Sequence, residues 1–444
     1  MKIDKIIDNS VRVIRGAVSS YTGNQLQKRH IPSTRGFFCA IISVRYEKLM
    51  QLRPHQQDAL DSMEKHDKGQ IIVPTGGGKT ICMIHDAMRE FAKFPQHTIV
   101  VVAPRILLAN QLSAEFLEFI TDPTVDVMHV HSGETHHFST TKVDEIREFN
   151  FHNANNGRNQ LIFTTYHSLH RIVESQITID TVYFDEAHNS TQRNFFVPTQ
   201  ELATSIFTRA YFFTATPKHS LTPARAGMND SKVYGEVICN VPAPKLVREG
   251  YILPPKVEIY QSRILAKDEV VADRECEQMI GAIDNLKKNK VLICAKSTAQ
   301  IINLLYHTPF TQQLAWGNFS WMTITSKTGA IIDGEKVDRE TFFDTLNEWG
   351  RDPEKKFVVL HHSILSEGIN VNGLEAVLFM RSMDYIGISQ TIGRVIRKGN
   401  EDKVFGLVCV PVYSNVGITT ARKVQNVVDT IFNKGEPAIS TVRK

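Results

Sequence analysis

From residue 70 onward, short apolar runs rich in β-branched residues alternate with longer helical patterns. After the first run, Ile84, Ala87, Met88 and Phe91 recur at the spacing of one helix face. Runs that are apolar throughout and separated by helices indicate parallel strands covered on both faces, so the sequence predicts an α/β fold. The expected strands are 70–73, 98–103, 160–164, 181–184 and 209–213, then 291–295, 321–324, 357–360, 376–379 and 404–410.

Residues 241–258 interrupt this alternation with four prolines and a glycine. Proline cannot continue a helix or a central strand, so this span is expected to be a linker between two α/β units, 49–240 and 259–444. Residues 1–48 form a third region, in which 36–42 read as a strand. Residues 131–159 are rich in His, Asn, Thr and Ser, and we expect them to form a solvated surface insertion.

The composition excludes several classes of protein. Hydrophobic residues are 42% and charged residues 22% of the 444 residues, which is ordinary globular usage. No stretch reaches the roughly 20 uncharged apolar residues of a membrane span, and the charged N-terminus does not resemble a secretory signal. The six cysteines are scattered without a C-x-x-C pair, so we expect free core thiols and no structural zinc. A soluble protein of the cytoplasm is the prediction.

Positive charge is concentrated at the N-terminus. Residues 1–50 carry nine Lys or Arg against three acidic residues, a net +6, and the rest of the chain is 42 − 44 = −2. A basic arm on a nearly neutral body is typical of proteins that bind a polyanion such as nucleic acid. A solvated basic surface explains the charge equally well.

The segment Pro74-Thr75-Gly76-Gly77-Gly78-Lys79-Thr80 lies between the first predicted strand and the amphipathic helix. Glycines let backbone amides surround phosphate oxygens, and the start of a helix adds partial positive charge. Lys79 can reach the β- and γ-phosphates of a nucleotide, and Thr80 offers a hydroxyl to Mg²⁺. The pattern departs from G-x-x-x-x-G-K-[ST] at its start, where Val73 replaces the first glycine. A plain glycine turn is the alternative.

Two carboxylates follow the predicted strand 181–184, in Asp185-Glu186-Ala187-His188. With a phosphate loop upstream on the same parallel sheet, Asp185 is placed to hold Mg²⁺ and Glu186 to orient an attacking water. The alternative is a turn or a helix cap. Near the C-terminus, Arg394 and Arg397 share one helix face and can converge on one phosphate, whereas a surface basic patch is the other interpretation.

Together these segments resemble a superfamily 2 helicase with a DEAH-type acidic motif. The strongest matches are the phosphate loop, Asp185-Glu-Ala-His188, Thr214-Ala-Thr-Pro217 and Gln390-Thr-Ile-Gly-Arg394-Val-Ile-Arg397. Weaker matches in the family's order are 52–56, 103–111, 164–169, 291–298 and 366–370. The resemblance covers about residues 50–412. It implies two tandem RecA-like lobes with ATP and Mg²⁺ in the cleft between them.

The resemblance also implies roles for single residues. Arg394 and Arg397 would act as arginine fingers, with Gln390 on the same side, and His188, Thr214 and Thr216 would couple hydrolysis to nucleic-acid binding. The residues implied to bind the nucleotide are Arg53, Gln56, Thr75, Gly76, Gly77, Gly78, Lys79, Thr80, Gly368 and Asn370. Thr80 and Asp185 would hold the metal.

Nucleic acid would run along backbone amides and small hydroxyls at strand ends, which hold phosphates without sequence preference. The candidates on the first lobe are Pro104, Arg105, Gln111, Ser132, Gly133, Thr165, Tyr166 and Ser168. The candidates on the second lobe are Ser297, Ser326, Lys327 and Thr328. For each one, a core or capping role is the alternative.

Two departures favour DNA over RNA. The acidic motif ends in His188 rather than Asp, and the last motif begins Gln390-Thr-Ile-Gly rather than with the His-Arg-Ile-Gly common in DEAD-box RNA helicases. These forms resemble DNA repair and recombination helicases, and phage-encoded branch-migration helicases of the UvsW type are the nearest kind. A monomeric motor on duplex or branched DNA is therefore expected, in the cytoplasm of a bacterium or a phage-infected cell. Residues 1–48 would bind duplexes or junctions, and the alternative is a structural strand and helix packed on the first lobe.

Three alternatives remain open. The chain could be an RNA helicase or RNA-dependent ATPase, or the motor subunit of a restriction or defence complex. A nucleic-acid-binding module that has lost catalysis is the third. It would need damage at a catalytic position, yet Lys79, Asp185, Glu186, Arg394 and Arg397 are all present.

Overall fold

The computed structural model describes residues 51–205, 208–222, 224–261, 269–325, 327–362, 373–381, 383–398, 403–412, 415–437 and 439–442. The predicted N-terminal region 1–48, with its strand at 36–42, lies outside these residues. Arg53–Lys444 form one compact unit. Two large sheets covered by helices organise this unit, as expected for tandem RecA-like lobes.

The described part of the first lobe contains nine strands. They are β1 (Lys68–Ile72), β2 (Thr98–Ala103), β3 (Val125–Val130), β4 (Phe138–Ser139), β5 (Asn159–Thr165), β6 (Thr181–Phe184), β7 (Arg209–Thr214), β8 (Lys218–Ser220) and β9 (Val237–Asn240). Eight of them form a sheet in the order β4-β3-β5-β2-β6-β7-β1-β9, in which every pairing is parallel. The short β8 pairs instead with β18 (Ser440–Val442).

Helices cover this sheet. They are α1 (Pro54–Lys65), α2 (Lys79–Lys93), α3 (Ile106–Leu117), α4 (Val143–Asn155), α5 (Leu169–Ser175), α6 (Arg193–Ala203), α7 (Ser231–Tyr234) and α8 (Ala243–Arg248), with a 3₁₀ turn at Ala187–Thr191. Every residue of β2 and β5 is buried, which explains why β2 and the centre of β5 are apolar runs rather than alternating patterns.

The second lobe is built on another eight-stranded sheet. Its strands are β10 (Pro255–Gln261), β11 (Lys290–Cys294), β12 (Ser320–Thr325), β13 (Gly329–Ile332), β14 (Glu335–Val337), β15 (Phe357–His361), β16 (Ala376–Phe379) and β17 (Gly406–Val412). The order is β10-β17-β16-β11-β15-β12-β13-β14, and only the pairs β12–β13 and β13–β14 are antiparallel. The helices are α9 (Val271–Leu286), α10 (Thr298–His307), α11 (Phe310–Trp316), α12 (Arg339–Arg351), α13 (Tyr385–Val395) and α14 (Asn415–Val428), and a π-helix follows at Asp429–Lys434.

The order of the strands places the candidate site. β6, β7 and β1 are neighbours, so the segments that follow them, which carry the acidic pair, Thr216 and the phosphate loop, meet at one edge of the sheet. β2, β5 and β3 end at this same edge because all the pairings are parallel. Ligands of open α/β sheets bind outside the carboxyl ends of the strands, so this edge is where function is expected.

Two sequence predictions are wrong here. Residues 131–159 are not a solvated insertion, because they contain β4 and α4 and bury His131 and Ile146. The span 241–258 is not irregular throughout: α8 starts after Pro242, and β10 starts at Pro255. Proline is compatible with the first turn of a helix and with the first residue of an edge strand, so a count of prolines overstates the break.

The five cysteines in the described part of the chain are free and buried, as predicted. Within the same residues, no helix is long and apolar enough to cross a membrane. Nor do these residues contain a group of three or more His, Cys, Asp or Glu side chains arranged to hold a metal ion.

Candidate active site

The phosphate loop lies between β1 and α2, and its conformation depends on glycine. Gly76 and Gly78 both have φ of +85°, a left-handed conformation that side chains with a Cβ rarely adopt. A Cβ at Gly78 would lie 2.3 Å from Nε2 of Gln56. The loop can therefore curl back to the start of α2, where the free amides and the helix dipole favour an anion.

The start of α1 contacts the back of this loop. Nε2 of His55 lies 2.7 Å from the Gly77 carbonyl oxygen, and Nε2 of Gln56 donates to the Gly78 carbonyl at 3.2 Å. The side-chain oxygen of Gln56 accepts from the backbone N–H of Arg53 at 2.9 Å. Both ends of the Gln56 amide are thus engaged by the chain, so its predicted bond to adenine would require one of these contacts to exchange.

Tyr251 forms an aromatic wall beside Arg53. The Arg53 guanidinium lies 4.8 Å from the centre of the Tyr251 ring, and the rings of Tyr251 and His55 are 5.5 Å apart. At this distance the guanidinium packs directly on the ring as a cation–π pair, so a nucleotide base could stack on either group only after the two separate. Tyr251 comes from the predicted linker and belongs to none of the sequence motifs. A lone tyrosine in a segment with glycine and proline gives no signal that it packs on Arg53.

The acidic pair lies under the phosphate loop. Nζ of Lys79 is 3.6 Å from Oε1 of Glu186, and both side chains are nearly buried. Burial and the neighbouring Glu186 raise the pKa of Asp185 to about 7, against the opposing charge of Lys79. Burial would also raise the pKa of Glu186, but Lys79, His188 and Arg394 outweigh it and the pKa of Glu186 is lowered. Glu186 therefore carries the charge of the pair.

The third segment at this edge contacts the acidic pair through His188. Nδ1 of His188 is 3.1 Å from Oγ1 of Thr214 and 3.6 Å from Oε2 of Glu186. The same Thr214 hydroxyl accepts from the backbone N–H of Thr216 at 3.1 Å. The structure therefore brings His188, Thr214 and Thr216 together in a buried series of polar contacts that ends on Glu186.

The second lobe packs directly on the phosphate loop. A Cβ at Gly393, in α13, would lie 2.4 Å from Cβ of Thr75. A Cβ at Gly76 would lie 3.6 Å from Cγ of Arg397, and the backbone N–H of Leu253 donates to the Ile396 carbonyl at 2.7 Å. Gln390 and Arg394 are buried at this contact. The predicted arginines of one lobe thus lie beside the predicted phosphate site of the other.

The residues present fit ATP and Mg²⁺. Oγ1 of Thr75 and Oε2 of Glu186 are buried without a hydrogen-bond partner, although Oε2 of Glu186 lies near His188. Two adjacent buried carboxylates raise each other's energy when both are charged, and a bound cation relieves that repulsion. Mg²⁺ commonly takes one or two protein ligands and completes its shell with water and phosphate oxygens, which suits Thr80 and Asp185.

The predicted nucleic-acid residues of the first lobe fall into two groups. Arg105 and Ser132 are exposed at the carboxyl ends of β2 and β3, and Gln111, Gly133 and Ser168 are half-buried. Pro104, Thr165 and Tyr166 are buried. Tyr166 is 1% exposed, and its hydroxyl donates to the Asp185 carbonyl at 2.9 Å. Its side chain therefore contacts the acidic motif and does not face a ligand.

On the second lobe, Ser297 and Thr328 have structural partners of their own. Ser297 caps α10 by accepting from the backbone N–H of Gln300 at 3.1 Å. The hydroxyl of Thr328 is 2.7 Å from that of Thr325 in the turn between β12 and β13, and Lys327 is exposed in the same turn. Ser326, Gly368 and Asn370 lie outside the described residues.

A buried pair below α13 is a further part of the site that the sequence did not predict. Sγ of Cys294 lies 3.2 Å from Nε2 of His361, at the ends of β11 and β15. Burial first, and then the charges of Arg394 and Arg381, lower the pKa of His361 to about 3. Burial raises the pKa of Cys294 to about 12. Both groups are therefore neutral at physiological pH, and they pack beneath the helix that carries Arg394.

Comparison with known proteins agrees with this arrangement. Residues 49–219 match the family described as "Type III restriction enzyme, res subunit". No curated protein matches the chain. Among solved structures, the DNA-bound type ISP restriction-modification enzyme LlaBIII superposes with a TM-score of 0.67 at 18% identity, over 88% of this chain and 31% of that one. The present chain therefore spans about a third of the length of that enzyme.

Two further structures share the fold. The DUF1998 helicase MrfA, bound to DNA and AMPPNP, has a TM-score of 0.62 at 14% identity, over 94% of this chain and 56% of its own. Dbp5 of S. cerevisiae, bound to RNA and ADP BeF3, has a TM-score of 0.56 at 15% identity, over 90% and 92%. With two RecA-like sheets, a phosphate loop and an arginine-bearing helix facing it, this chain has the superfamily 2 helicase-type fold.

Proposed function

We propose that this chain is an ATP-dependent DNA motor, which hydrolyses ATP when bound to DNA and uses the energy to translocate or to separate strands. The observation that carries the proposal is the contact of Gly393 with Thr75, which brings Arg394 and Arg397 to the phosphate loop. The family match over residues 49–219 supports a nucleic-acid-dependent ATPase.

In this proposal the phosphate loop and α2 hold ATP through backbone amides. Lys79, which pairs with Glu186 in the structure, turns to the phosphates when ATP enters. Glu186 is then free to orient the attacking water, and the positive charge of Arg394 beside it continues to favour its ionised form. Thr80 and Asp185 would hold Mg²⁺, which when bound neutralises charge on the phosphate oxygens.

Arg394 and Arg397 stabilise the charge that develops on the γ-phosphate. Because they belong to the second lobe, hydrolysis requires the two lobes to be closed on each other. An arginine finger contributes about 10³ to 10⁵ in rate in related chemistry, so small lobe movements can switch hydrolysis on and off. Adenine would stack on Arg53 and Tyr251 once their 4.8 Å contact opens.

DNA binding is coupled to this site through short paths. Tyr166 joins the carboxyl end of β5, where Thr165 and Ser168 lie, to the carbonyl of Asp185. Thr214 and His188 join the segment after β7 to Glu186. A shift of either segment on DNA binding would move a catalytic carboxylate. This provides a physical reason for DNA to stimulate ATP hydrolysis.

DNA is proposed rather than RNA because LlaBIII and MrfA are described as DNA-bound and because of the motif departures in the sequence. Branched DNA, such as forks, Holliday junctions and displacement loops, is the finer proposal, and the +6 charge of residues 1–50 supports it. A monomer acting in the cytoplasm completes the proposal.

The motor of a restriction or defence complex is the second candidate. The family match and the two type ISP restriction-modification structures favour it. In that case another part of the assembly would carry the nuclease, and hydrolysis would depend on this partner.

ATP hydrolysis with matched polymers tests both candidates. Wild-type protein and Lys79→Ala would be assayed with single-stranded DNA, duplex DNA, a four-way junction and single-stranded RNA. The proposal predicts the strongest stimulation by duplex or branched DNA, abolished in Lys79→Ala. Stimulation by RNA alone would refute the DNA assignment. A wild-type protein that hydrolyses no ATP with any of these polymers would refute the self-sufficient motor and favour the restriction or defence complex.

A further inference from the structure

The end of α13 is held by a lysine that belongs to none of the helicase motifs. Nζ of Lys403 donates to the Arg397 carbonyl at 2.9 Å and to the Leu374 carbonyl at 2.6 Å. Arg397 lies two residues beyond α13, and Leu374 lies just before β16. One ammonium group therefore joins the segment that carries the second arginine to the sheet of the same lobe.

Neighbouring backbone contacts fix the rest of this helix end. The Ile396 carbonyl accepts from Leu253 at 2.7 Å. A Cβ at Gly406, the first residue of β17, would lie 2.5 Å from the Val395 carbonyl oxygen, so the chain passes very close to the helix here. The carbonyls at a helix end have no partner within the helix and carry partial negative charge. A cation at this position donates hydrogen bonds to these carbonyls and balances their partial negative charge. Hydrogen bonds from a charged donor are roughly twice as strong as neutral ones.

We propose that Lys403 is a positioning residue for ATP hydrolysis, which fixes the backbone of Arg397 and so the direction of its guanidinium toward the phosphate loop. The inference rests on the proposed function, since it assigns Lys403 a role in that same site. Lys403 touches neither the nucleotide site nor the reacting atoms; it acts through Arg397.

The charges around Lys403 make this role sensitive to pH. Three segments pack against it: 373–375 contributes the carboxylate of Glu375, 287–290 contributes Lys288 and Lys290, and the end of α13 contributes Arg397. Burial is the largest influence on the pKa of Lys403 and lowers it. The Glu375 carboxylate raises this pKa and the three neighbouring cations lower it, so that the pKa of Lys403 is about 8.

The direction of the pH effect follows from these charges. Below about pH 8 the ammonium is charged and makes charge-assisted bonds to both carbonyls. As pH rises through that value the amine becomes neutral, its bonds weaken, and Arg397 loses its support. The rate of hydrolysis is therefore expected to fall on the alkaline side with a midpoint set by Lys403.

Three variants separate this role from general destabilisation. Lys403→Met removes the donor, and Lys403→Arg keeps a donor that stays protonated at all pH values used. Lys68→Met is the matched control: Nζ of Lys68 also donates to two carbonyls, those of Ala203 and Lys232, but it lies at the opposite end of the first sheet from the phosphate loop. The full chain would be assayed for kcat and KM of ATP with saturating duplex DNA between pH 6.5 and 10.

We expect Lys403→Met to lower kcat at least about tenfold at pH 7 with KM for ATP within about threefold, because a misplaced catalytic group loses rate rather than ground-state binding. Its residual activity should lack the alkaline fall. Lys403→Arg should retain activity at pH 7 and keep it above pH 9. Lys68→Met should match the wild type in kcat and in pH profile.

Should Lys403→Met fail to fold, Lys288→Met supplies an independent test. Removing this neighbouring cation should move the alkaline midpoint to higher pH without changing kcat at pH 7. An unchanged midpoint in Lys288→Met together with an alkaline fall retained in Lys403→Arg would overturn the inference. So would a wild-type kcat in Lys403→Met. If wild-type protein hydrolyses no ATP with any polymer, the proposed function itself fails, which these variants cannot mimic.

Discussion

The close approach of Gly393 to Thr75 makes Gly393→Ala the sharpest single test of the site. The added Cβ would lie 2.4 Å from Cβ and 2.5 Å from Cγ2 of Thr75, whereas ordinary contact begins near 3.4 Å. The helix must therefore withdraw from the loop by 3.4 − 2.4, about 1 Å, and it carries Arg394 and Arg397 with it. A misplacement of this size costs roughly 10²-fold in rate when a catalytic group moves.

The stability of the second lobe, unlike kcat, should not fall in Gly393→Ala. Alanine is favoured over glycine inside a helix by about 1 kcal/mol, and the clash lies between lobes rather than within a core. The second lobe should therefore unfold no more easily in the variant than in the wild type. Gly387→Ala, in the first turn of the same helix, is the matched control, since its Cβ meets chiefly the flexible end of the Met383 side chain at 2.8 Å.

The assay is steady-state ATP hydrolysis with saturating duplex DNA, accompanied by thermal unfolding. We expect kcat to fall roughly 10²-fold in Gly393→Ala, with an unfolding temperature no lower than that of the wild type, and to stay within about twofold in Gly387→Ala. A wild-type kcat in Gly393→Ala would mean that the lobes do not meet at Thr75 during hydrolysis, contrary to this prediction.

Three further predictions concern stability, pH and DNA. Asp86 is fully buried and accepts hydrogen bonds from Tyr183 at 2.7 Å and from Arg89 at 3.1 Å. Asp86→Ala should therefore lower the free energy of unfolding, measured in urea, by about 3–5 kcal/mol. A loss of less than about 1 kcal/mol would contradict the buried charge network. Burial lowers the pKa of His129 to about 3, so the folded state resists protonation of this side chain. The free energy of unfolding should therefore decrease as pH falls below about 6.5, by about 2 kcal/mol at pH 5. In His129→Gln, thermal unfolding should show a weaker dependence of stability on pH. Deleting residues 1–48 should reduce the salt dependence of duplex binding, by about 0.9 in slope for each DNA phosphate that the arm neutralises, and an unchanged slope would exclude the arm from DNA binding.

The strands could be predicted from sequence where burial was complete. Strands β2, β6 and β16 have the predicted bounds because runs such as Thr98–Ala103 are apolar throughout and end at a turn. The strand predicted at 404–410 begins instead at Gly406, since Val404 is 67% exposed and precedes the sheet. β3 is absent from the predicted strands because Asp126 and His129 interrupt its apolar pattern, although His129 is buried.

The site could be predicted only as far as strand order reaches. In a parallel sheet the residues after neighbouring strands must meet, so Lys79, Glu186 and Thr214 could be expected together. No such rule places Tyr251 beside Arg53, or Lys403 on the Arg397 carbonyl, because these contacts depend on how loops and separate segments pack. The prediction for Tyr166 does not hold for its side chain, which points inward to Asp185, because a strand-end motif does not reveal which way each side chain turns.

In the proposed mechanism, DNA-stimulated ATP hydrolysis requires Arg397 of the second lobe at the phosphate loop of the first lobe. The most direct measurement is the kcat of wild-type and Arg397→Ala protein with saturating duplex DNA, with ATP binding measured separately. We predict a loss of about 10³-fold in kcat while ATP still binds. DNA-stimulated hydrolysis by Arg397→Ala at the wild-type rate would mean that Arg397 does not act on the nucleotide.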